Sequence, residues 1–232
     1  MNFATKIIAA LCSVALLQGC HHDDDDDNNN DLMLNYSLTT INLTGNQPLS
    51  PLAVALHQNQ GLIEVGGVAS DGLEWLAEAG DNTFLLAEFA TNDDVNASAA
   101  GAGLIMPGAS ETLSISSSSS SNYLTLGTML VNTNDAFAAL NSISLKELAV
   151  GEALTVYARA YDSGTEANSE SMATIPGPAA GGEGYSAARD DRDFIAVHPG
   201  VVTQADGLTG SVLTEDHRFD NPVAKVVVTR LP

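Results

Sequence analysis

Leu154-Thr155-Val156-Tyr157-Ala158-Arg159-Ala160-Tyr161 alternates along its whole length. Leu154, Val156, Ala158 and Ala160 fall on one face, and Thr155, Tyr157, Arg159 and Tyr161 on the other. A period of two is the signature of a β-strand with one buried face. The strand runs straight into Asp162-Ser163-Gly164-Thr165-Glu166-Ala167-Asn168-Ser169-Glu170, a short turn crowded with oxygen-bearing side chains. Gly164 frees the backbone to reverse sharply, so Asp162 and Glu166 can face a common centre. Oxygens at this density suit a hard cation such as Ca²⁺, which takes six to eight oxygen ligands.

Outward from this strand, the chain reads as mainly β. Tyr36–Leu43 and Pro51–His57 predict two strands, separated by a Gly45-Asn46-Gln47-Pro48 turn. Asp71-Gly72-Leu73-Glu74 has the form of a capped helix start, followed by the stripe Leu73, Leu76, Ala77 and a closing Gly80. A second short helix is expected from Asn82 to Phe89. The small-residue stretch Asn96–Gly103 reads as a loop. Strands return at Glu111–Ile115 and Tyr123–Val131, joined through the serine run Ser116–Ser121, and the last strands are Phe194–Val197 and Val223–Leu231. Short strands, frequent turn signals and only one or two short helices predict an antiparallel β-sandwich.

The N-terminus is of another kind. Lys6 precedes an apolar run from Ile7 to Leu17, about eleven residues and too short to span a bilayer. Leu17-Gln18-Gly19-Cys20 then resembles the cleavage box of bacterial lipoproteins. That implies a signal peptide over 1–19 and a lipid on Cys20. His21, rather than Asp, follows the cysteine, which points to the outer membrane of a bacterial envelope. Residues 20–34 carry the lipidated Cys and an acidic, apolar-poor run expected to be a disordered tether. The folded domain is expected over 35–232. Cys12 leaves with the signal, so the mature domain has neither disulfide nor thiol catalyst.

The chain carries 8 basic and 29 acidic residues, a formal charge of −21. Setting aside Lys6 and the six acids between positions 23 and 31 still leaves 7 bases against 23 acids. Such a field repels nucleic acid and anionic surfaces and attracts divalent cations. No His-Glu-x-x-His, Gly-x-Ser-x-Gly or phosphate-loop pattern is present. His198 reads as a packed turn residue, and Trp75 as core.

Two carboxylates seldom complete a Ca²⁺ shell. The best source of a third is Asn132-Thr133-Asn134-Asp135, another oxygen-rich turn that directly follows a strand. If both strands end at the same tip, the turns meet. The alternative is a pair of ordinary Asx turns.

Val131-Asn132-Thr133-Asn134-Asp135-Ala136-Phe137, Tyr161-Asp162-Ser163-Gly164-Thr165-Glu166 and Ile175-Pro176-Gly177-Pro178 together resemble the spondin N-terminal domain, in particular its bacterial lipoprotein relatives. The resemblance covers roughly residues 36–231. Asp-Ser-Gly-Thr-Glu is similar to that family's Asp-Ala-Gly-Thr-Asp signature. Asn-Asp-Ala-Phe is similar to its Pro-Asp-Trp-Phe-type loop. The resemblance implies a sandwich like calcium-dependent lipid-binding domains, with one Ca²⁺ held by Asp135, Asp162 and Glu166. It also implies a non-catalytic module for adhesion or for an extracellular protein or glycan ligand. Glu166 stands where animal members have Asp, and their disulfides are missing. Two other functions remain: a hydrolase working through Asp162 and Glu166, and an envelope lipoprotein whose metal only stabilises a loop. Glycosidase carboxylates flank the scissile bond about 5 to 10 Å apart, a span that two groups on one tight turn do not bracket.

Overall fold

The alternating stretch is a strand, β7 (Ala153–Asp162), and its inward face is the one the alternation marks: Ala158 and Ala160 are fully buried. The computed structural model describes residues 33–59, 61–118 and 123–232, and these form one compact unit. The expected signal peptide, Cys20, nearly all of the acidic tether and the second half of the serine run lie outside the described residues.

In chain order the other strands are β1 (Leu34–Asn42), β2 (Ala53–His57), β3 (Val95–Ala100), β4 (Ser110–Ser117), β5 (Tyr123–Met129), β6 (Ala136–Ser144), β8 (Ala196–Val197) and β9 (Ala224–Leu231). Two helices, α1 (Asp71–Ala79) and α2 (Thr83–Thr91), separate β2 from β3. The fold is therefore mainly antiparallel β, as the sequence predicts. The strands follow the path β3-β2-β5-β6-β7-β9-β1-β4, with β8 pairing to β7 off the path. Residues Ala153–Ala158 of β7 pair with β9, whereas Arg159–Asp162 pair with β6. The end strands β3 and β4 pack against one another, and Leu49 bridges to both Ile105 and Leu130, so the sheet is nearly closed.

Its interior holds Tyr36, Leu38, Val54, Leu56, Leu124, Leu126, Ala138, Ala160, Val226 and Val228. A second core lies outside the sheet, where Ala53, Ala55, Phe137 and Ala139 meet Leu73, Leu76, Ala77, Leu85 and Phe89 of the helices. This double burial explains two elements that the sequence conceals. β6 opens Ala-Phe-Ala-Ala-Leu, apolar on both faces, and lacks the alternation that marks a half-exposed strand. β3, expected as a loop, consists mostly of Ala, Ser and Asn, poor strand formers, and is drafted into the sheet by its ladder to β2.

Helix α1 also corrects a detail. Its N-cap is Ser70, whose hydroxyl accepts from Leu73 N–H, and Asp71 is the first helical residue. Gly80 closes the helix in the left-handed conformation, φ 67°, as expected. Trp75 is half-buried rather than core. Its ring stacks on Tyr185 at 3.7 Å and on Phe84 at 4.6 Å between centroids.

Candidate metal centre

The two acidic turns meet. β6 begins one residue after Asp135 and β7 ends at Asp162, and these strands are neighbours with Ala136 opposite Asp162. Register therefore brings the turn over 132–135 beside the turn over 163–166. The junction lies at the end of the sheet where β1 finishes, because Asn42 pairs with Ala224 and Ala224 with Ala158. Leu34, where β1 starts, is at the opposite end.

Asp135 is fully buried and organises the junction. Its Oδ2 accepts from the Ser163 hydroxyl (2.8 Å), Thr165 N–H (3.0 Å) and Glu166 N–H (3.2 Å), and its carbonyl accepts from Ser163 N–H. The flanking side chains lock the turn that presents it. Asn132 accepts from Ala179 N–H, Thr133 donates to the Leu130 carbonyl, and Asn134 accepts from Glu170 N–H. Two glycines permit this closeness. Gly164 has φ 74°, and a Cβ there would lie 2.4 Å from the Phe194 carbonyl oxygen. A Cβ on Gly177 would lie 2.3 Å from the Val131 carbonyl oxygen, which explains why the Pro-Gly-Pro segment can close over the first turn.

The three expected ligands differ in how they are engaged. One oxygen of Asp135, Oδ1, is buried without a hydrogen-bond partner, and so is Oε2 of Glu166. Asp162, fully buried, has both oxygens occupied: Oδ1 accepts from Gly164 N–H, and Oδ2 accepts from the Asn168 amide (2.7 Å) and from Arg192 (3.1 Å). Asn168 thus touches a candidate ligand directly. The arginine-acid segment 189–193 sends Arg192 inward to Asp162 as well as sideways to Asp191.

Electrostatics make the junction costly for its own charges. Burial pushes the Asp135 carboxyl up to about 7, and the Asp162 charge adds to this against the Ser163 hydroxyl and two N–H groups. Burial pushes Glu166 up to about 8, with Glu78 the leading neighbouring charge and Asn134 opposing. Glu170 is also inside. Burial raises it to about 7, one oxygen accepts from Val202 N–H, and Oε2 has no partner.

Sequence reading missed Glu78. It is fully buried on α1, and burial raises its carboxyl, offset mainly by Ser186 N–H. The signal was available: Glu74 and Glu78 sit four apart beside Leu73 and Ala77, on the apolar side of the helix. His198 is the packed turn histidine expected. Burial pushes it down to about 4, and its Nδ1 accepts from Gly200 N–H.

Among the described residues, no group of three or more His, Cys, Asp or Glu side chains is already arranged to hold a metal ion. The donor chemistry nevertheless fits a hard cation. It is all oxygen and anionic, and buried carboxylate oxygens without partners are the atoms that a Ca²⁺ ion would satisfy. No helix among the described residues is long and apolar enough to cross a membrane. No protein-family model matches the chain, and no curated protein does.

Proposed function

We propose that this protein is a lipid-anchored envelope module whose folded part is a spondin-like β-sandwich. Its loop tip binds one Ca²⁺ and recognises an extracellular protein or glycan without catalysis. The observation that carries this reading is the pair of buried, partnerless oxygens on Asp135 and Glu166, set on turns that only the β6–β7 register brings together. Native proteins rarely leave such atoms unsatisfied, and each one costs about 1–3 kcal/mol. An ion ligated by Asp135, Glu166 and Asp162 would remove that cost, with Asp162 exchanging part of its contact with Arg192 for the metal.

Two further features agree. The site is at the end of the sheet remote from Leu34, so a lipid on Cys20 would leave the loop tip free to meet a partner. The carboxylates are also nearly inaccessible, with Asp135 at 0% and Glu166 at 8% relative exposure. That burial suits ion ligands better than an acid and base that must touch a substrate.

Thermal melting of the chain in Ca²⁺ and in EDTA tests the site. A rise in Tm with Ca²⁺ that Asp162→Ala abolishes is expected, and no shift in either protein refutes the reading. A glycan and matrix-protein binding array with and without Ca²⁺ then separates recognition from a purely structural ion. Labelling with a palmitate analogue tests the anchor, which fails if Cys20 stays unmodified.

A further inference from the structure

We propose that Glu78, carried on α1, is an additional oxygen ligand of this cation, so that ion binding clamps the helix to the turns at the end of the sheet. The inference rests on the Ca²⁺ reading above, but it arises from different atoms.

Glu78 is fully buried in the last turn of α1, two residues before the Gly80 cap. That is the negative end of the helix dipole, where a carboxylate is disfavoured, and the last turn of α1 holds no basic residue. One Glu78 oxygen, Oε2, accepts from Ser186 N–H at 2.9 Å. The other, Oε1, is buried without a partner. Asp135, Glu166 and Glu170 likewise each leave one buried oxygen without a partner. Asp162, the third ligand expected from sequence, does not.

Glu78 also belongs to the same electrostatic neighbourhood. It is the leading charge acting on Glu166, and the Thr165 hydroxyl interacts with its carboxylate. Thr165 in turn contacts Ser163 at 2.6 Å, and Ser163 donates to Asp135. A line of polar groups therefore leads from beside the helix to the centre of the junction. The charges along it do not balance. Glu74, Glu78, Asp135, Asp162, Glu166, Glu170 and Asp190 are linked to one another, against the guanidinium groups of Arg189 and Arg192. Arg189 is committed to Glu74 (2.6 Å) and Asp193 (2.7 Å), and Arg192 to Asp162 and Asp191. The comparison within one helix is direct: Glu74 is buried with an arginine on it, and Glu78, one turn later, is buried with none. A divalent cation supplies the missing positive charge where Oε1 is free.

Calorimetric titration of Ca²⁺ into the metal-stripped full chain tests this, with wild type and Glu78→Gln in parallel. Gln keeps the shape and can still accept from Ser186 N–H, so a role confined to that hydrogen bond predicts no change. The expected result is a loss of affinity of about 10-fold or more, with a Tm in EDTA no lower than wild type. Trp75, the only Trp of the chain, lies three residues before Glu78 and stacks on Tyr185, next to Ser186. Its fluorescence is expected to change on Ca²⁺ addition in wild type and not in the variant. Wild-type affinity retained within twofold in Glu78→Gln overturns the inference while the cation site stands. Absence of Ca²⁺ binding by wild type overturns both. Should Glu78→Gln fail to fold, Glu78→Asp keeps the charge and shortens the reach; weakened binding supports the role and unchanged binding overturns it.

Discussion

The effect of Asp135→Asn on stability should depend on the medium. The wild-type carboxylate is fully buried, with its pKa raised by burial and by Asp162 to about 7 from 3.8. At pH 8 it is mostly ionised in both folded and unfolded chains. A shift of that size corresponds to about 4 kcal/mol against the ion-free fold, at roughly 1.4 kcal/mol per unit. Asn removes the charge and can keep its carbonyl oxygen on Ser163, Thr165 and Glu166. It places an amide where Oδ1 has no partner, at a cost of about 1–3 kcal/mol. In EDTA at pH 8 the variant should therefore be more stable by about 1–3 kcal/mol. In Ca²⁺ that advantage is cancelled or reversed. A site with Kd of about 10⁻⁴ M, in the range of extracellular modules, gains about 2.7 kcal/mol at 100 times Kd, and the variant forgoes most of this. With about 2–4 °C per kcal/mol for a domain of this size, wild type should gain about 5–10 °C on Ca²⁺ addition and Asp135→Asn almost none. Differential scanning calorimetry at pH 8 in EDTA and in 10 mM CaCl₂ reads both. A variant destabilised equally in the two media would refute the reasoning, because Asp135 would then be only a hydrogen-bond acceptor for the neighbouring turn.

Three further outcomes follow from the same geometry. Burial raises the folded pKa of Asp135, Glu166 and Glu170 to about 7, 8 and 7. The folded state then holds more protons than the unfolded chain between about pH 4 and pH 8, and stability in EDTA falls as pH rises through that window; a flat Tm from pH 5 to 8 would contradict it, and Ca²⁺ should flatten the curve. Gly164→Ala forces a left-handed backbone on a Cβ and drives it into Phe194, so chemical denaturation should show a loss of about 2–5 kcal/mol; a loss below 1 kcal/mol would mean that the turn relaxes freely. Arg189→Ala strands Glu74, buried at 3% exposure, and should cost about 3 kcal/mol at pH 7, with urea melts of the variant as the measure and an unchanged midpoint as the contrary result.

The site shows how far linear order can be read. Asp162, Gly164 and Glu166 were legible because the strand that ends at Asp162 and the glycine that reverses it are local, and a period of two needs no partner to be seen. Asp135 was legible as the polar end of a strand, and its neighbourhood with Glu166 came from likeness of motif. Glu78 and Arg192 were not legible as parts of the site. Glu78 lies some 90 positions from Glu166 in the chain, on a helix whose docking against β5 and β6 sets its position. Arg192 stands among acids of its own segment, and nothing in that run distinguishes an inward guanidinium from an outward one.

Sequence alone determined the local conformations: the half-buried strand before Asp162, the Gly164 reversal, the helix that starts near Asp71 and closes at Gly80, and an excess of carboxylates over cations. Tertiary structure decided which of those carboxylates share a space. The physical reason is that alternation and turn chemistry act between near neighbours. Burial, ladder register and unmet hydrogen-bonding capacity depend on what the far parts of the chain bring. The β6–β7 ladder set Asp135 against the turn after Asp162, the helix buried Glu78 where its charge acts on Glu166, and only then did individual oxygens stand out as having no partner.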